Sequence, residues 1–268
     1  MTFELITPVR GPGVCPGCFN FTLAASGRCR ACAASESHLS AMVAISYAAA
    51  GGALHHALAD YKRAAEPAVP YLSAEIAGLL SRFLTEHERC VARAAGVEGF
   101  HSVAVVPSTH GHGEVAHPLR QIVAQHVGET SGRHCDALVA SGEPCTPHSF
   151  DRRRFVPTRR MDGQDVLLVD DVWTTGATAQ SAAAVIRHAG ARTVAIVVIG
   201  RYVNGYWGGI ADRLAGLERR TRSGTCALCA AAAGPHPREA GSRRLPPGAR
   251  SGKNQTEAHS VGSRLMDT

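Results

Sequence analysis

The stretch VLLVDDVWTTGAT, from Val166 to Thr178, decides how this chain is expected to fold. Its apolar run reads as a buried strand that ends in two adjacent carboxylates, Asp170 and Asp171. Thr174, Thr175 and Gly176 then lead into GATAQSAAAVIRHAG, a small-residue stretch of helical character closed by Gly190. In an open α/β sheet, ligands bind beyond the carboxyl ends of the strands, and Asp170 and Asp171 are delivered to that edge. The first amides of the following helix are free, and threonine hydroxyls stand close by, so the turn suits a phosphate. Carboxylates facing that phosphate would repel it. They must therefore serve paired hydroxyls, a divalent metal, or both. A phosphate, a diol and a metal within a few ångströms describe a phosphorylated ribose. Neither GxxxxGK[ST] nor a GxGxxG after a strand occurs in the chain, so the common phosphate loops do not compete.

Working outward, short apolar runs alternate with helical patterns. MVAISYA (Met42 to Ala48), HSVAVVP (His101 to Pro107), ALVA (Ala137 to Ala140) and TVAIVVIG (Thr193 to Gly200) read as strands. Helices are expected from near Gly51, over Val69 to Ala95, and over Ala116 to Val127. In the second of these, Leu72, Ile76, Leu79, Leu80 and Phe83 recur at helical spacing. The order implies an α/β fold with a parallel sheet covered on both faces.

Six of the nine cysteines fall in CxxC pairs. Cys15/Cys18 and Cys29/Cys32 are separated by ten residues, enough for a short hairpin that brings the knuckles together. Four thiolates in this spacing are the structural zinc pattern, and they leave no open position for catalysis. The pair Cys226/Cys229 is followed by His236, which is too few donors for a closed site within the tail. It could complete a site across an oligomer, form a redox-labile pair, or be idle. Cys90 reads as a small apolar residue on a helix.

The domain organisation expected is a zinc ribbon over 1–38, the α/β domain over 39–205 and a basic, largely disordered tail over 206–268. The formal charge is +6, and residues 211–268 carry ten Lys/Arg against five Asp/Glu, so the body before them is near neutral. A basic nucleic-acid surface on the body is therefore not implied. The N-terminal residues lack a secretory pattern, and the run Ala41 to Leu54 is too short and too rich in Ala and Gly to span a bilayer. A cytoplasmic protein without a membrane span is expected.

Val166 to Thr178 resembles the signature that binds 5-phosphoribosyl 1-pyrophosphate (PRPP) in type I phosphoribosyltransferases. With four-cysteine knuckles before it, the chain resembles more specifically the ComF/GntX family over roughly residues 15 to 203. That family pairs a zinc ribbon with a phosphoribosyltransferase domain and is associated with DNA uptake in competent bacteria. The resemblance implies a glycosyltransferase-type site using Mg²⁺ with PRPP, and structural Zn²⁺ in the ribbon. It implies that Asp170 and Asp171 hold the ribose hydroxyls. Thr174, Thr175, Gly176, Ala177 and Thr178 would grip the 5′-phosphate, and Val106, Pro107, Ser108 and Thr109 would form the pyrophosphate loop. Lys62 stands where the family has a lysine after its first helix. DNA or a protein of the competence machinery is an implied partner, and an oligomer is compatible.

The chain departs from the family where an RGFNQ-like segment is expected. HGHGEVAHPLRQIV stands there, with Arg120 and Gln121 as the matching residues. Arg152, Arg153 and Arg154, before Phe155, either neutralise pyrophosphate or form a solvated charge run. His110, His112 and His117 are either metal donors or polar loop residues. Tyr202, Tyr206 and Trp207 either stack on an acceptor base or close the sheet edge. The acceptor is not legible, and a non-catalytic module that binds PRPP or a nucleotide and docks through its ribbon is the alternative.

Overall fold

Nine-residue strand β1 (Ala41–Ala49) is buried along almost its whole length, as a strand covered on both faces must be. It pairs in parallel with the last strand of the sheet, β6 (Thr193–Val203). Between them in sequence come α2 (Ala53–Asp60), α3 (Val69–Ala95) and β2 (Ser102–Val105). The chain continues through α4 (Pro118–Gln121), a π-helical turn (Ile122–His126), α5 (Gly128–Ser131), β3 (Leu138–Ala140), β4 (Phe155–Pro157), β5 (Asp165–Trp173) and α6 (Ala177–His188). A short α1 (Arg30–Ala33) precedes the sheet, and α7 (Ile210–Glu218) follows it.

The computed structural model describes residues 4–24, 27–34, 36–62, 69–108, 117–206, 209–218 and 224–229, all within one compact unit, Met1–Gly234. Its main sheet has four parallel strands in the order β1-β6-β5-β2. The fold is therefore α/β, with a parallel sheet flanked by helices and an N-terminal cluster of four cysteines. Among the described residues, no helix is long and apolar enough to cross a membrane.

Alternation along β5 divides the core. Leu167 and Val169 pack with α2, α3 and the α4–α5 segment, while Val166 and Leu168 pack with α6, the cysteine segment and the β3–β4 pair. The chain leaving β2 goes to α4 on the first face; the chain leaving β5 goes to α6 on the second. Loops that diverge from neighbouring parallel strands open a crevice at the strands' carboxyl ends. By that rule the crevice is expected between Val106 and Asp170–Asp171, where the amide of Val106 donates to the carbonyl of Val169 at 3.0 Å.

Two expectations are corrected. ALVA is not a strand of the parallel sheet: β3 pairs antiparallel with β4 in a separate two-stranded sheet. Both strands are three residues long and bury one residue each, too little for a readable period. The helix expected over Ala116 to Val127 shifts to π geometry, and the Thr130 hydroxyl donates to the carbonyls of Val123 (2.6 Å) and Val127 (3.1 Å). Among the described residues beyond 205 lies a further helix, α7. Ile210, Leu214 and Leu217 recur at helical spacing in α7, and Leu214 is buried in the sheet core. The surrounding Gly, Ala and Arg hide that pattern in composition.

Candidate functional site

Asp171 is 5 % exposed and has two partners supplied by the end of α2. The Tyr61 hydroxyl donates to Asp171 Oδ2 at 2.6 Å, and the Lys62 ammonium forms an ion pair with the same oxygen. Burial, and then the charge of Asp171, push the Tyr61 phenol well above its ordinary value, so it remains a donor. Gly200 lets α2 come this close, since a Cβ there would stand 2.7 Å from Leu58 Cδ1.

Asp170 is held differently. Its Oδ1 accepts the Asp171 amide at 2.9 Å, and burial, followed by the charge of Asp171, raises its carboxyl well above the usual carboxylate range. His117, whose Nδ1 is buried without a hydrogen-bond partner, lies within electrostatic reach of Asp171 and Lys62. Burial drives its imidazole towards the neutral form. His117 thus belongs to the acid pair's surroundings, while His110 and His112 lie outside the described residues.

The turn after β5 is built on Trp173. The indole is 2 % exposed, and its Nε1 has no hydrogen-bond partner. Gly176 sits against it at φ +85°, and a Cβ there would come within 2.1 Å of the ring. Both the left-handed backbone and the close approach demand glycine. Thr174 and Thr175 are exposed, Ala177 and Thr178 half-buried. The first turn of α6 has no side-chain cap from Gly176, and Thr175 Oγ1 accepts the Ala177 amide at 3.3 Å. Of the other expected loop, Val106 is buried, Pro107 half-buried and Ser108 exposed; Thr109 lies outside the described residues.

The four N-terminal sulfurs come together, all within 4.8 Å of one another, as a structural zinc site requires. The first knuckle sits in a turn bracketed by an antiparallel bridge from Val14 to Phe21, and Cys29 caps α1. Arg201, on β6, fixes this knuckle to the sheet and was not singled out from sequence. It is 3 % exposed; its Nε donates to the Cys18 carbonyl at 2.8 Å and its Nη1 to the Trp173 carbonyl at 3.0 Å. The Tyr47 hydroxyl adds a bond to the Phe19 carbonyl at 2.7 Å. One buried cation therefore joins the cysteine knuckle to the residue on which the threonine turn rests. A cleft of about 390 Å³ lies between them, lined in part by Arg28, His148, Phe150, Thr175 and Gln180.

Arg120, Arg153 and Arg154 of the expected anion-binding set are committed elsewhere. Arg120 forms a bidentate pair with Asp136 at 2.6 and 2.5 Å. Buried Arg154 donates to the carbonyls of Thr146 (3.0 Å) and Ser149 (3.1 Å), which shapes the loop beside the cleft. Arg153 pairs with Asp151. Tyr202 packs against His55 with ring centroids 5.5 Å apart, Tyr206 is 88 % exposed, and Trp207 lies outside the described residues. Cys226 and Cys229, too few donors in sequence, meet His87 and Cys90. A scan against protein-family models and a search of the curated proteins both find no match to this chain.

Proposed function

We propose that the crevice at the carboxyl ends of β2 and β5 binds PRPP or a closely related ribose phosphate with Mg²⁺. The observation that carries this reading is the unequal acid pair. Asp171 is held by Tyr61 and Lys62, whereas Asp170 stands half-buried beside it with its carboxyl raised by desolvation and by its neighbour's charge. A carboxylate in that condition gains from a hydroxyl donor or a cation brought by a ligand. The first turn of α6, with no side-chain cap from Gly176, with Thr174 and Thr175 before it in sequence and Thr178 within it, suits a 5′-phosphate.

In transfer of the phosphoribosyl group, the bond from C1 to pyrophosphate breaks as a nitrogen nucleophile bonds to C1, and pyrophosphate leaves with the electron pair. Asp170 and Asp171 hold the diol and stabilise positive charge on the ring. Tyr61 and Lys62 keep Asp171 in place. Mg²⁺ supplies charge neutralisation on the leaving group when bound with PRPP; hard carboxylate oxygens at the crevice suit it. Zn²⁺ at Cys15, Cys18, Cys29 and Cys32 cross-links the ribbon, which Arg201 ties to the Trp173 turn.

One observation favours a second reading, a module that binds PRPP without consuming it. Arg120 and Arg154 are spent on Asp136 and on loop carbonyls, so neither is offered to pyrophosphate. Under this reading the ribbon serves as a docking surface for protein or DNA, in keeping with the competence-linked family that the sequence resembles. Titration calorimetry with PRPP and Mg²⁺ tests the shared core of both readings. Saturable binding lost in Asp170→Asn/Asp171→Asn is expected; no binding by folded wild type would refute both. Pyrophosphate release on screening nitrogenous acceptors then separates the transferase from the sensor.

A further inference from the structure

Cys226 and Cys229 belong to a short knuckle after α7, and the fold completes their donor set from a helix far back in the chain. His87 and Cys90 stand three residues apart on α3, on one helical face, and His87 precedes Cys229 by 142 residues. The four donor atoms, His87 Nδ1 and the sulfurs of Cys90, Cys226 and Cys229, all lie within 4.8 Å of one another. The N-terminal cluster meets the same limit. His87 Nδ1 is 3.9 Å from Cys229 Sγ and 4.0 Å from Cys90 Sγ. Tetrahedral zinc, with Zn–S of about 2.3 Å and Zn–N of about 2.0–2.1 Å, sets its donors roughly 3.5–3.8 Å apart. A contraction of a few tenths of an ångström at these two distances, and of about 1 Å at most elsewhere, would therefore close the shell.

The surroundings have the features of a metal knuckle. The Cys226 amide points at Cys229 Sγ (3.0 Å), and the Cys229 amide at Cys226 Sγ (3.4 Å). Amides directed at both sulfurs stabilise thiolates. With Nδ1 turned to the sulfurs, the other imidazole nitrogen faces the Glu86 carboxylate at 3.6 Å, the side from which a histidine ligand is commonly oriented. His87 and Cys226 are buried, and Cys90 and Cys229 half-buried. Three soft sulfurs and one imidazole select zinc over magnesium or calcium, and four protein donors leave no coordination position for a substrate.

We propose that His87, Cys90, Cys226 and Cys229 form a second, structural zinc site that fastens residues 224–229 to α3. The segment it fastens joins both layers of the molecule. Cys226 packs in the core on the α3 face, Ala227 in the core on the opposite face, and Leu228 against both. Zinc here would thus lock residues 224–229 across the two cores, independently of what the crevice binds.

The test is metal content of the full chain, purified under reducing conditions with zinc supplied and then dialysed against a weak chelator. Two zinc ions per chain are expected in wild type and one in Cys226→Ser/Cys229→Ser. In cobalt-loaded protein, the difference spectrum between the two should show thiolate-to-cobalt charge transfer from a tetrahedral site. One zinc per chain in wild type, unchanged in the variant, would overturn the proposal. So would a second equivalent that the variant retains. Should the double variant not fold, the wild-type count still decides. His87→Gln, which keeps all nine thiols, should then release its second zinc to chelator at least tenfold faster than wild type, and an unchanged rate would count against the site.

Discussion

Strand β5 begins on Asp165 and carries Asp170 towards its other end, and it treats the two side chains in opposite ways. Asp165, at the start, is 2 % exposed and fully partnered: Arg192 grips it with two nitrogens, Nε at 2.9 Å, and its amide donates to His101 Nδ1 at 3.1 Å. The Arg192 bonds hold its carboxyl below the ordinary value. Asp170, towards the other end, has the Asp171 amide as a donor and the Asp171 carboxylate as a neighbour, and its carboxyl is raised. An aspartate whose charge is matched within the protein serves stability. One left unmatched at the carboxyl end of a parallel strand is set for a ligand, at some expense of stability.

Substitutions at the two ends should separate these roles, beginning with the largest effect. Gly176→Ala forces a left-handed alanine against the Trp173 ring and should destabilise by about 2–4 kcal/mol in urea denaturation, with loss of PRPP binding. Tyr61→Phe removes the buried donor to Asp171; a loss of about 1.5–3 kcal/mol is expected, as for hydrogen bonds to charged groups. Asp165→Asn should cost less, about 1–2 kcal/mol, because Arg192 is already in solvent and is not stranded, and it should leave PRPP binding intact. Asp170→Asn should reverse the sign, raising Tm at pH 7 by about 2–4 °C for each kcal/mol of relieved repulsion and desolvation.

The acid limb of the stability profile sharpens the same contrast. Asp165 has a lowered folded-state value, so its contribution is present above the unfolded carboxylate value of about 3.9 and is lost as pH falls through the folded one. Asp170 has a raised value. Its unfolded form releases the proton first, so stability falls as pH rises from about 4 through the folded-state value. The gain from Asp170→Asn should therefore vanish in thermal melts at pH 3, while the deficit of Asp165→Asn should shrink as Asp165 protonates.

Much of this was readable in the chain. The α3 boundaries follow from its apolar period, and β5 with α6 from an apolar run, two acids and a glycine turn. The acid pair announced itself because two charges at the end of a buried strand need a reason. What was illegible depends on distance in sequence. Arg201 reads as the polar end of an apolar run, and only the fold brings it to Cys18 and Trp173. His87 and Cys90 look like ordinary helix residues until Cys226 and Cys229 arrive beside them. Arg120 and Arg154 illustrate the converse, since a suggestive spacing cannot reveal that Asp136 and two loop carbonyls have already taken their donors.

The most direct measurement is the thermal melt of wild type and Asp170→Asn, each with and without PRPP and Mg²⁺. Ligand at a hundredfold excess over Kd stabilises by about 2.7 kcal/mol, or roughly 5–10 °C for a domain of this size. The account predicts that shift in wild type and its absence in Asp170→Asn, whose unliganded Tm should lie above that of wild type. An equal ligand shift in both proteins, or a variant that melts lower without ligand, would contradict it.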